Sequence, residues 1–145
     1  MMFADFLKSL LAPAPAQLSD TDARLALCAL LVRVARSDEH YDAHEIAQID
    51  RVMATRYGLG KSDAETLRAQ AEVLEAEAPD TVRFTRAIKD AVPYVDRIGV
   101  IEALWSIALA DGERDAEEDA VIRLVANLLG ITDVESASAR QRIAQ

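Results

Sequence analysis

Apolar residues recur every three or four positions along most of the chain, which is the spacing of an amphipathic helix. Alternation of apolar and polar residues, the mark of a half-buried strand, is absent, and only five glycines occur. Leu25 to Ala35 and Val100 to Leu109 each carry a single charge, so we expect these two stretches at the centre of the fold. The predicted helices cover Asp20 to Arg36, Ala43 to Tyr57, Asp63 to Ala78, Thr81 to Ala91, Tyr94 to Ala110, Ala116 to Leu129, and the chain from Asp133 onward.

An internal repeat gives the predicted helices a symmetry. Each copy has an apolar helix, an acidic turn and an amphipathic helix, and neither pair of helices can bury its own apolar face alone. We therefore predict an all-α, single-domain bundle of about seven to eight helices with an internal pseudo-two-fold repeat. A shift of 73 positions places Leu31, Ala35, Asp38, Asp42, Ala43, Glu45, Ala47, Ile49 and Val52 on the identical residues Leu104, Ala108, Asp111, Asp115, Ala116, Glu118, Ala120, Ile122 and Val125.

The start of the chain differs in character from the rest. Residues 12–17 contain two prolines and form a predicted connector. We divide the chain into an N-terminal amphipathic helix with its proline-rich connector, residues 1–17, and one helical domain, residues 18–145. The short helix is expected to dock on its own domain, and attachment to a partner or to a membrane surface is the alternative. Its large apolar residues have helical spacing: Phe3, Phe6, Leu7, Leu10 and Leu11.

Acidic residues gather at the turn inside each copy of the repeat. Hard cations such as calcium, magnesium and manganese take oxygen ligands, and carboxylates at a chain reversal can supply them. The spacing is not that of an EF-hand loop, because the acids fall at relative positions one, five and eight. A divalent-cation site at each turn has these candidate ligands: Asp38, Asp42 and Glu45 in the first copy, and Asp111, Asp115 and Glu118 in the second.

Helix capping explains part of the same pattern without a metal. Asp42 lies where an N-cap residue belongs and Glu45 follows three residues later, as in a capping box, and the second copy repeats this pair. Capping does not account for Asp38 and Asp111, which end the preceding helices, where the helix dipole disfavours negative charge. Metal ligands and purely structural caps therefore both remain open. Capping boxes are also predicted where no metal is expected, at Ser62 with Glu65 and at Thr132 with Glu135.

Other reactive side chains offer weaker candidates. His40 and His44 are four residues apart and are alternative ligands for a transition metal, although the second copy has glutamates at both places. Cys28 lies inside an apolar helix, which predicts a buried and inert thiol. Trp105 lies in the corresponding helix of the second copy and is predicted to belong to the core.

Composition narrows the classes of function. The 25 acidic and 16 basic residues give a net charge of -9, which repels phosphate backbones, so nucleic acid is not expected as a partner. One cysteine excludes an internal disulfide, and no apolar run is long enough to span a bilayer. No phosphate loop, nucleophile elbow or histidine-centred triad is present. We expect a soluble, cytoplasmic, non-enzymatic protein with a protein partner whose identity the sequence does not give.

Two short motifs carry a resemblance to a known family. They are Ala110 to Glu113 with Glu118, and Leu128 to Ile131, and the first copy echoes them in Ser37 to His40 with Glu45, and in Tyr57 to Leu59. With these motifs, the chain after Gln17 resembles the TerB family of tellurite-resistance proteins and the N-terminal domain of DjlA-type co-chaperones. Glu39 departs from the family pattern, which has glycine at that place, so the resemblance leaves the geometry of the first turn open.

The resemblance implies an all-helical fold that binds divalent cations through the acids of its turns, in stress-response or membrane-linked assemblies. The implied ligands are the same six carboxylates. The His-Pro-Asp signature of a J domain is absent, so no chaperone activity follows. Two functions stay open: a metal-binding module of a stress-response system, and a metal-independent interaction module that docks partners through its N-terminal helix or its acidic surface.

Overall fold

The computed structural model describes residues 20–37, 39–77, 80–110 and 114–144. Within these ranges the chain is helical and contains no strand, which confirms the all-α class. No helix in this part of the chain is both long and apolar enough to cross a membrane. The predicted N-terminal helix and its connector lie outside the described residues. The α-helices are α1 (Asp20–Arg36), α2 (Ala43–Tyr57), α3 (Lys61–Glu77), α4 (Val82–Ala91), α5 (Arg97–Ala108), α6 (Ala116–Leu128) and α7 (Asp133–Ala144), with a 3₁₀ turn at Tyr94–Asp96 before α5.

Helices α1 and α5 form the centre of the bundle, as their apolar sequences predict. Each is buried on nearly every side, with Leu27 and Leu30 in α1 and Leu104 and Ile107 in α5 among the fully buried residues. A helix that is apolar all round must be surrounded by other helices. Accordingly, α1 contacts α2, α3, α4, α5 and α6, while α5 contacts α1, α2, α6 and α7.

The contacts between helices follow the predicted pseudo-two-fold repeat. Helix α1 packs on α2 as α5 packs on α6, and each central helix also packs on the outer helix of the other copy. Equivalent residues such as Ile49 and Ile122 are both fully buried. The structure adds a third helix to each copy, because α3 packs on α1 and α2 as α7 packs on α5 and α6. Among the helices of the described residues, α4 has no counterpart in the repeat.

Two helix starts differ from the prediction by more than one residue. Helix α3 begins at Lys61, because the N–H of Ala64 already donates to the carbonyl of Gly60 at 3.0 Å. Ser62 therefore lies inside the first turn, and the capping box predicted for it was wrong. The helix predicted from Tyr94 begins as a 3₁₀ turn, in which the Asp96 N–H donates to the Pro93 carbonyl at 2.9 Å, and the α-helix starts at Arg97.

Candidate metal-binding turns

The first turn leads from α1 into α2 through a complete capping box. The Glu45 N–H donates to Asp42 Oδ1 at 2.9 Å, and the Asp42 N–H donates to Glu45 Oε1 at 3.3 Å. These bonds satisfy two backbone donors that the first helical turn leaves without partners. The second oxygen of each carboxylate takes no part in the box, so capping and cation binding do not exclude one another here.

The second turn repeats the cap at the start of α6. Asp115 Oδ1 accepts hydrogen bonds from the N–H groups of Glu117 and Glu118, at 2.9 and 3.1 Å. Asp115 Oδ2 lies outside this arrangement. Both N-caps that the sequence predicts at the acidic turns are therefore present. The reciprocal bond of a capping box joins Asp42 and Glu45, but the described residues show no such bond from the Asp115 N–H to Glu118.

The glutamates of the two turns are buried. Glu45 is 2% exposed and Glu118 is 1% exposed, whereas Glu135, in the capping box at the start of α7, is exposed. Capping needs only that the carboxylate accept a hydrogen bond from a backbone N–H, and it does not need burial of the carboxylate. Burying a carboxylate is costly unless it is paired or coordinates a metal. This feature separates the two acidic turns from an ordinary surface cap.

The remaining candidate ligands, Asp38 and Asp111, lie outside the described residues. Each predicted set of three carboxylates includes one of them, so the full ligand set stays a prediction. Within the part of the chain that the structure describes, no three His, Cys, Asp or Glu side chains form a group that could hold a metal ion. His40 and His44, the alternative transition-metal ligands, are both exposed.

Glu39 has a backbone conformation that is usual for glycine and rare for other residues. Its φ angle is +67°, in the left-handed region, and among the described residues other than glycine it alone has a positive φ. This conformation costs a residue with a Cβ about 1–2 kcal/mol compared with glycine. The first turn thus holds Glu39 in a conformation that glycine adopts at lower cost.

A polar network that sequence analysis missed joins the first turn to α3. The Tyr41 hydroxyl donates to Glu72 at 2.6 Å, and Arg68 binds Glu72 at 3.0 Å and Asp50 at 2.6 Å. Burial and the hydrogen bond to Glu72 raise the pKa of Tyr41. The four-residue spacing of Arg68 and Glu72 on α3 was the available signal. Their partners come from other helices and could not be read from spacing.

The second turn is flanked by a cleft of about 740 Å³ between α5, α6 and α7. Arg114 binds Asp119 at 2.7 Å and lies 5.7 Å from the ring centre of Trp105. Trp105 is 5% exposed and donates from Nε1 to Ser136 at 3.1 Å, which confirms its place in the core. Trp105 therefore lies close enough to the second turn to report on changes there.

Cys28 is fully buried in α1, as its apolar surroundings predict. Burial is the main cause of the raised pKa of its thiol. Because the thiolate is the reactive form, this cysteine is an inert core residue.

The paired turns and the pseudo-two-fold bundle have a counterpart among known families. The family model described as tellurite resistance protein TerB matches residues 24–141, which is more than half of the chain. The chain belongs to the TerB family. No curated protein and no solved structure matches it. The TerB match includes both acidic turns and thus all six candidate ligands, and it begins beyond the predicted N-terminal helix and connector.

Proposed function

We propose that this TerB-family protein is a non-enzymatic module of a stress-response system, of the tellurite-resistance type, that binds divalent cations through its two acidic turns. The observation that carries the proposal is the burial of Glu45 and Glu118 at equivalent places in the two turns. Carboxylate oxygens suit calcium, magnesium or manganese, with main-chain carbonyls and water completing the shell. The proposed ligands are Asp38, Asp42 and Glu45 in one turn, and Asp111, Asp115 and Glu118 in the other.

The electrostatics of the turns support the same proposal. Four acidic residues fall within residues 38–45 and five within residues 111–118, on a chain whose net charge is already -9. Like charges so close together repel one another, and the repulsion grows where water is excluded. A divalent cation bound between them offsets this repulsion, so the folded state gains stability when the cation is present.

The first test is thermal unfolding of EDTA-treated protein with calcium, magnesium, manganese and zinc added separately at constant ionic strength. A ligand that binds only the folded state stabilises it by about 2.7 kcal/mol at one hundred times its dissociation constant. For a domain of this size the Tm then rises by several degrees. If no cation raises the Tm at millimolar concentration, the proposal fails.

Amide variants separate cation binding from capping. Asparagine is about as good an N-cap as aspartate, and glutamine can replace glutamate in a capping box. Asp42→Asn and Glu45→Gln should therefore keep the fold in EDTA while abolishing the cation response of the first turn. Glu135→Gln is the matched control, because it changes a capping box for which no metal is proposed. A response that survives every amide variant in both turns would contradict the proposal.

The two turns can be followed separately through the single tryptophan. Trp105 lies beside Arg114, which adjoins the second turn. We expect cation binding at that turn to shift the Trp105 emission and Asp111→Asn to abolish the shift. Asp38→Asn, in the first turn, should leave the shift in place and remove only part of the gain in Tm. Equal effects of the two substitutions on the emission would argue against separate sites.

A metal-independent interaction module is the second candidate function. The exposed apolar side chains of Tyr94 and Val95 favour it, because exposed apolar clusters commonly mark binding surfaces. This function predicts no response to any cation and no effect of the amide substitutions on partner binding. The cation titration therefore decides between the two candidates.

A further inference from the structure

A groove of about 690 Å³ lies where the start of α1, the end of α2 and the segment between α4 and α5 meet. Val95 at its edge is 78% exposed. Two cations, Arg24 and Arg56, and two acids, Asp96 and Glu102, also line the groove. The other apolar side chains of the lining include Tyr57, Val92, Pro93 and Ile98.

One hydrogen-bond donor in the groove has no acceptor among the described residues. It is Arg24 Nε, which is buried. The Arg24 guanidinium lies 4.6 Å from the ring centre of Tyr57, within the distance of a cation–π contact. A buried donor of this kind normally has a partner, and a carboxylate is the strongest acceptor available to an arginine.

We propose that residues 1–11 of the same chain occupy this groove. The apolar positions of the segment, including Phe3 and Phe6, suit the apolar lining around Val95. Asp5 and Lys8 are the only charged residues of the segment. Asp5 complements the two arginines of the groove and supplies the acceptor for Arg24 Nε, and Lys8 complements Asp96, since Glu102 already pairs with Arg142 at 3.1 Å.

The position of the groove fits an intramolecular occupant. The described chain starts at Asp20, and Ala23 and Arg24 already line the groove. Residues 12–19 can span roughly 26 Å when extended, at about 3.3 Å for each residue. That reach lets the segment turn back over the first turns of α1. Since the groove shares no residue with the acidic turns, this docking is independent of the proposed cation binding.

Disulfide trapping in the full-length chain tests the docking. Phe6→Cys combined with Val95→Cys places one thiol on the segment and one in the groove, and the native Cys28 is buried and unreactive. The control pairs Phe6→Cys with Val73→Cys, another exposed valine. Val73 lies on α3 between Glu72 and Glu75, which bind the opposite end of α1 at Arg36 and Arg33.

With oxidised glutathione and micromolar protein, we expect the Val95 pair to form an intramolecular disulfide at least ten times faster than the Val73 pair. Equal rates for the two pairs would overturn the proposal. Disulfide-linked dimers formed preferentially through Val95→Cys would also overturn it, because they would show that a second copy fills the groove.

A double-mutant cycle gives an independent answer without cysteines. Val95→Asp should lower the Tm of the full-length chain by several degrees, because a charge then opposes the apolar segment. The same substitution should have little effect in a chain that carries Phe3→Ser and Phe6→Ser, since the contact is already lost. If the effects on Tm simply add, the segment and Val95 do not interact and the proposal is wrong.

Discussion

At the scale of single residues, Glu39 offers the clearest prediction for the first turn. Its left-handed backbone, with φ at +67°, disfavours any side chain with a Cβ. Glu39→Gly should therefore raise the free energy of unfolding by about 1 kcal/mol, even after the greater backbone entropy of glycine in the unfolded chain is counted. Urea unfolding measures the change. Glu39→Ala is the control and should give no gain, because alanine keeps the Cβ. A gain of the same size with alanine would mean that loss of the charge, and not of the strain, is responsible.

Tyr41 provides a second prediction at the scale of one residue, because its hydroxyl donates to Glu72 at 2.6 Å. Tyr41→Phe should cost about 1 kcal/mol at neutral pH through the loss of this bond. Burial and the bond raise the folded pKa of Tyr41 above the ordinary tyrosine value of 10.0. A raised pKa gives stability that is present below pH 10 and lost as the pH rises towards the folded value. The gap between wild type and variant should therefore narrow above pH 10.

Urea unfolding at neutral and at alkaline pH would measure this gap. Tyr57→Phe is the matched control, since the Tyr57 hydroxyl has no hydrogen bond to the described residues, and it should change stability little at either pH. A Tyr41→Phe cost that stays constant across the range would contradict the argument.

At the scale of helices, the sequence predicted a helix end correctly where a capping motif or a glycine marked that end without a competing motif nearby. Both ends of α2 were predicted correctly, because Asp42 begins it with a capping box and Gly58 ends it with a left-handed backbone at φ +65°. The start of α3 was misplaced because Ser62 and Glu65 offered a capping box that competes with the less distinctive Gly60. Local motifs locate helix ends reliably only when one signal dominates.

The capping box of α7 yields a prediction for acid pH. Thr132 N–H donates to Glu135 Oε1 at 2.9 Å, and Glu135 N–H donates to the Thr132 hydroxyl at 3.1 Å. The backbone hydrogen bond from Thr132 is the main cause of a lowered pKa at Glu135. A lowered pKa gives stability that is present above the ordinary glutamate pKa of 4.5 and lost as the pH falls through the folded pKa.

Glu135→Gln should therefore lower stability at pH 7 and lose its effect in acid, below the folded pKa. Thermal unfolding of wild type and variant across this range measures the difference. Glu65→Gln is the control, because no capping box forms around that residue, and it should show no comparable loss of effect. If the Glu135→Gln difference persists in strong acid, the ionised carboxylate is not what stabilises the helix start.

At the scale of the whole molecule, the internal repeat predicted one part of the helix arrangement and missed another. The repeat predicted the central helices and the turns, because identical residues such as Leu31 and Leu104 fill equivalent buried places. It did not reveal that α3 and α7 correspond, since those helices are recognised by what they pack against and not by shared residues. The caps of the candidate site were predictable from spacing. The burial of Glu45 and Glu118 depends on neighbouring helices and was not.

The net charge of -9 gives a prediction about the whole molecule that also provides a control for the cation experiment. Self-repulsion of an acidic chain destabilises its compact state, and salt shortens the range of that repulsion from about 30 Å at roughly 0.01 M to about 8 Å at roughly 0.15 M. Sodium chloride should therefore raise the Tm of wild type and of the Asp38→Asn, Asp111→Asn double variant alike. A divalent cation added at fixed ionic strength should raise the Tm of wild type alone. If divalent and monovalent salts give equal shifts at matched ionic strength, the acids act as diffuse charge and form no site.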